Sequence, residues 1–176
     1  MPPFISGLPL HILIVHAVVV LVPLAVLATI IIAVWPAARA RYGWWAVGIT
    51  GAATVSVPIA TNSGALLRHR LPGNALIAQH ATLGDVLPLL MVPLFIVVTA
   101  LMYLHHVRTR AERAQGPGAV IAALPARWVR ATAITLSMLT VVLAVGSAVQ
   151  VVRIGDSGAR AAWSDTHYIQ PAPGKS

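Results

Sequence analysis

Charged residues stand far apart in this chain, and the gaps between them are apolar. The first charge is Arg39. After Arg41 none occurs until Arg68, none falls between Asp85 and Arg108, and none between Arg130 and Arg153. A helix rises about 1.5 Å per residue, so about 20 apolar residues cross a hydrocarbon core of about 30 Å. The pattern therefore predicts an all-α protein, a bundle of four transmembrane helices with spans at about 10–35, 43–66, 83–107 and 129–152. The expected connectors are Pro36 to Tyr42, about Leu67 to Thr82 with the turn Pro72-Gly73-Asn74, and about Arg108 to Trp128 with the breaker Gly116-Pro117-Gly118. A single membrane domain over 1–165 and a disordered tail over 166–176 are expected, the tail ending in Pro171-Ala172-Pro173-Gly174.

The spans also carry packing information. Gly48, Ala52, Ser56, Ala60 and Gly64 recur every fourth residue in span two, a ridge that lets a neighbouring backbone come close. Ser137, Thr140, Ala144 and Ala148 repeat the idea more weakly in span four. Pro23, Pro58, Pro88 and Pro93 lie inside spans, where each removes one backbone hydrogen bond and favours a kink.

Composition sharpens the class. The chain is 58% hydrophobic and 9% charged, with a mean hydropathy of +0.84, whereas a soluble domain carries about 25% charged residues. The net charge of +8 does not signal nucleic acid, because the basic residues sit singly at span ends, where membrane proteins place them. Without cysteine there are no disulfides, thiolate metal sites or iron–sulfur clusters. Met1 to Pro9 lacks Lys and Arg and the following apolar run is long, so the first span reads as a resident helix rather than a cleaved signal peptide. Eleven Arg against one Lys is the usage of a GC-rich bacterial genome, which points to a bacterial inner membrane. Loops one and three with Arg130 hold seven basic residues against five on the other side, so both termini are expected outside.

Polar chemistry gathers at one depth. Counted along the helices from the Arg-rich end, His16 lies about 30 Å away, His80 about 39 Å, Arg153 about 35 Å and Arg68 about 36 Å. His11, Asn62, His69, Asp85 and Asp156 belong to the same layer. His11 and His16 are five residues apart, about 140° around a helix, so one small site cannot use both. His16 is the deeper of the two and is expected to turn inward, with His11 among headgroups and His80 in the loop before span three. The segment Arg153 to Trp163 reads as a helix end, with two glycines that allow a tight turn or a close approach, Asp156 able to pair with Arg153 or Arg160, and Trp163 as an interfacial anchor.

Several of these residues carry a family resemblance. The opening Leu10-His11-Ile12-Leu13-Ile14-Val15-His16, the small-residue second span, His80 ahead of the third span and the glycine segment Gly155 to Gly158 resemble a family of uncharacterised bacterial four-helix membrane proteins, domain of unknown function 2231. The resemblance covers roughly residues 8–165 and implies the fold but no activity. Family members have a proline after the first histidine and often a histidine in the last glycine motif. This chain has Ile12 and Asp156 there, which weakens span four as a source of a ligand.

Three functions fit these residues. With no G-x-S-x-G, P-loop or paired-carboxylate arrangement, an accessory or interaction subunit of a larger membrane complex is the first, its partners being lipid and a membrane protein or a second copy. The second is a b-type haem site near the outer face, with His16 and His80 as ligands and Arg68 or Arg153 pairing the propionates. The third is a divalent-metal or proton-linked carrier using His16, His80, Asp85 and Asp156, although no ionisable residue lies deeper to pass an ion onward.

Overall fold

The computed structural model describes residues 4–5, 8–68, 75–113 and 125–163. A two-residue antiparallel pairing of Phe4–Ile5 with Leu8–Pro9 precedes four helices. These are α1 (Leu10–Val34), α2 (Pro36–Arg68), α3 (Ala75–Arg113) and α4 (Ala126–Trp163). Each is long and apolar enough to cross a membrane. The helices alternate in direction. α1 packs on α2 and α4, and α3 packs on the same two, so α1 and α3 stand diagonally across the bundle.

The helices outrun the spans. Only Trp35 separates α1 from α2, and the expected first connector is helical from Pro36 onward. Proline is well placed as a first helical residue, because its missing N–H has no intrahelical partner there in any case. Arg39 then turns back over the end of α1. Its Nε donates to Ile32 O at 2.7 Å and its Nη2 to Ala33 O at 2.6 Å, satisfying carbonyls that the helix leaves open. The same Nη2 reaches Ser137 Oγ on α4 at 3.0 Å, so one guanidinium ties three helices. Helix formers account for the other extensions. Ala75-Leu76-Ile77-Ala78-Gln79 starts α3 before the apolar window, which places His80 in a helix and not in a loop. Arg108 and Arg110 extend α3, and Arg127 and Trp128 open α4. The segment Arg153 to Trp163 is continuous helix without a turn. Pro72-Gly73-Asn74, His69, Gly116-Pro117-Gly118 and the 166–176 tail lie outside the described residues.

The core is a set of side chains from all four helices. Val22, Ala25, Val26, Ala53, Val57, Leu87, Met91, Leu94 and Ala144 form one cluster, and Ile32, Ala46, Val47, Val98 and Met102 a second nearer the Arg39 end. Buried hydroxyls answer to their own helix: Thr29, Thr50, Thr140 and Ser147 donate to carbonyls four residues earlier at 2.7–2.8 Å. Among the described residues no buried side-chain nitrogen or oxygen lacks a partner. The outside is as oily as the inside, with Leu89 71% and Val142 66% exposed. Lipid is the solvent that accepts such a surface. Trp35, Tyr42, Trp44, Trp45, Tyr103 and Trp128 are all exposed at the Arg39 end, a girdle of aromatic side chains at the headgroup level.

Candidate functional site

At the opposite end the bundle repeats itself. Along α1, His11 is followed by Val18, Val22, Ala25, Thr29 and Ile32; along α3, His80 is followed by Leu87, Met91, Leu94, Val98 and Leu101. Each α3 residue stands 69 positions after its α1 counterpart, and except for half-buried Val18 every apolar member and Thr29 is buried. The spacing of seven, four, three, four and three keeps one stripe of the helix on the bundle axis. His11 and His80 therefore top the inward stripes of two diagonal helices, His80 two turns beyond Leu87 of the first core cluster and His11 two turns beyond Val18, which packs against that cluster.

The partner helices repeat as well. His11 Nδ1 lies 3.1 Å from Ala60 O and 3.1 Å from Ser63 Oγ on α2. His80 Nδ1 lies 3.1 Å from Ile154 O and 3.1 Å from Ser157 Oγ on α4. A glycine follows each serine and makes room for the ring: a Cβ on Gly64 would come to 2.9 Å from His11 Cε1, and one on Gly158 to 3.1 Å from His80 Cε1. Each hairpin thus carries the same device, a histidine seated on a Ser-Gly step of the next helix.

The hydrogen-bond roles follow from proton counting. Ser63 Oγ donates its one proton to Ala60 O at 2.9 Å, and Ser157 Oγ donates to Ile154 O at 2.8 Å. Serine oxygen and carbonyl are then both acceptors toward the imidazole, so Nδ1 carries the hydrogen and donates. The neutral ring is left with its lone pair on Nε2. Among the described residues Nε2 of neither histidine has a hydrogen-bond partner. His11 precedes the apolar span Leu13–Val34. Burial pushes its imidazole below the ordinary value of 6.5, the bond to Ala60 O works the other way, and the charge of His80 lowers it further.

The expected ligand layer is rearranged by this geometry. His11, and not His16, is the residue turned toward the bundle; His16 sits exposed, about 140° around the helix. Depth favoured His16, but the phase of the core stripe decides which histidine faces inward. His80 is at the expected end. Arg68, Arg153 and Asp85 are exposed. Asp156 pairs with Arg160 on its own helix at 2.9 Å, on the outside. Arg153, Asp156, Ser157 and Arg160 line an open cleft with Gln79 and Leu83, directly behind the serine that holds His80. Among the described residues no group of three or more His, Asp or Glu is placed to hold a metal ion, so His16, His80, Asp85 and Asp156 are not gathered as a carrier would need.

Four contributors are not evident from the sequence. Ser63 and Ser157 are the acceptors that fix the tautomers, and the repeated Ser-Gly pair was the signal for them. Gln150, buried in α4, donates from Nε2 to Leu83 O at 2.7 Å and locks α4 to α3 just below His80. Arg39, which the sequence presents only as a topogenic charge, is the clasp at the far end.

The family model described as a predicted membrane protein, domain of unknown function 2231, matches residues 7–171. No curated protein and no solved structure matches the chain.

Proposed function

Since the chain belongs to the domain of unknown function 2231 family of predicted membrane proteins, we propose that this four-span protein works as an accessory subunit that receives a transmembrane helix of a larger membrane complex along α2. The small-residue ridge of α2 supports this reading. Its outer half is used inside the chain: Ala60 is buried and Gly64 lies against His11. Its other half is uncovered. Gly48 has nothing within 4 Å of where a Cβ would stand, and Ala52, on the same face one turn on, is exposed. In a bilayer, helices associate by close backbone approach and van der Waals packing, since apolar surface alone gives no advantage over lipid. A vacant small-residue stretch is the surface that such packing needs, and the chain carries no motif for chemistry of its own.

The orientation belongs to the same reading: both termini outside, the Arg39 end in the cytoplasm, in a bacterial inner membrane. Affinity purification in mild detergent is the test. The wild type is expected to bring down a membrane protein in stoichiometric amount, and Ala52→Leu to lose it while keeping its helix content. Recovery of wild type as a monodisperse oligomer of itself, or equal recovery of the partner with Ala52→Leu, overturns the proposal.

A further inference from the structure

The two histidines are more than staples between helices. A staple needs one donor; each imidazole here also keeps a second nitrogen, Nε2, with a lone pair and no hydrogen-bond partner among the described residues. These nitrogens are not buried, since no buried side-chain nitrogen among the described residues lacks a partner; each is a reachable lone pair at the bundle end, and the arrangement recurs at two equivalent places. Donation from Nδ1 to a carbonyl and a hydroxyl is also the support that orients a metal-bound histidine and raises the basicity of its other nitrogen.

The number of ligands narrows the chemistry. At this end two imidazoles top the inward stripes, and among the described residues no group of three or more His, Asp or Glu forms with them. A bare zinc or copper(II) ion would want further protein ligands. A metal that arrives with its equatorial positions already filled wants two axial donors and nothing else, which is the position of iron in a porphyrin. The helices that carry the pair are diagonal, so their ligands approach from opposite sides.

We propose that His11 and His80 bind, through Nε2, the two axial positions of an iron porphyrin seated between the ends of α1 and α3. The site stands independently of the subunit reading: it concerns the bundle end, and the α2 face is not part of it.

The test uses the full chain in detergent, without a His-tag, titrated with hemin, together with the same chain purified from haem-replete cells. The expected result is one hemin per chain with a low-spin Soret band and sharp reduced bands on dithionite. Asparagine is the informative replacement, because its amide NH2 takes the place of Nδ1–H while nothing takes the place of Nε2. His11→Asn and His80→Asn should therefore keep the fold and each lose the low-spin spectrum, whereas His16→Asn should leave it unchanged. Ser157→Ala should weaken hemin binding by about tenfold, the usual effect of losing an outer-shell partner. His80→Met, which still offers a ligand atom, should retain the pigment with a shifted spectrum even where the Asn variants prove unstable. Absence of a low-spin complex in the wild type, spectra unchanged in both Asn variants, or stoichiometric copper or zinc in place of haem would each overturn the proposal.

Discussion

Gly64→Ala and Gly48→Ala compare two glycines of one helix that differ in what lies beside them. At Gly64 a new methyl would stand 2.9 Å from Cε1 and 3.2 Å from Nδ1 of His11; at Gly48 it would meet nothing within 4 Å. Both substitutions gain the same helix-propensity term, roughly 0.5–1 kcal/mol. The difference between the two variants cancels that gain and leaves the packing. Overpacking a filled site costs about 1–3 kcal/mol, and part of that cost here is the stretching of the Nδ1 bonds to Ala60 O and Ser63 Oγ. Gly64→Ala should therefore be about 1–3 kcal/mol less stable than Gly48→Ala. Reversible unfolding in mixed micelles, with tryptophan fluorescence as the signal, measures both on one scale. Equal stabilities within about 0.5 kcal/mol would refute the seating of His11 on the Ser-Gly step.

The four spans were legible because lipid imposes a length and forbids charge, and the charge-free windows record both constraints. Helix ends were not, because a window marks where the chain meets hydrocarbon and not where hydrogen bonding stops: α3 begins at Ala75 and α4 runs to Trp163, well beyond the oily stretches. Side-chain facing was the harder problem. α1 is apolar all round, so no contrast of polarity tells the inward face, and depth alone favoured His16. The matched spacing of His11 and His80 to their core stripes was present in the sequence, but becomes visible only when the two hairpins are laid over one another. The roles of Gln150 and Arg39 depend on which carbonyls they reach, and those partners lie 67 residues away for Gln150, and six and seven for Arg39.

Arg39→Met should destabilise the bundle by about 1.5–3 kcal/mol in the same assay, since charged bonds to Ile32 O and Ala33 O are lost; no measurable change would remove Arg39 as the clasp of the α1–α2 corner. Gln150→Leu leaves Leu83 O without its side-chain donor and should cost about 0.5–1.5 kcal/mol, and a neutral outcome would show that this bond contributes nothing. The His11 imidazole is held below 6.5 in the folded protein, so below that value the unfolded chain binds more protons. Stability should be level above pH 6.5 and decline as the pH falls below it, with the decline reduced in His11→Asn; an identical pH profile in wild type and variant argues against a neutral, buried His11. Cysteine introduced at Ala172 should react in intact cells with a membrane-impermeant reagent, and protection there would reverse the proposed orientation.

The pairing of two histidines on twin Ser-Gly steps is tested most directly by nitrogen NMR of the protein carrying 15N-labelled histidine, without added haem or metal, above pH 7. Signals assigned through His11→Asn and His80→Asn should show a protonated Nδ1 and a bare Nε2 at both positions. A hydrogen on Nε2 at either residue, the tautomer that neutral histidine prefers in water, would contradict the hydrogen bonds on which the site is built.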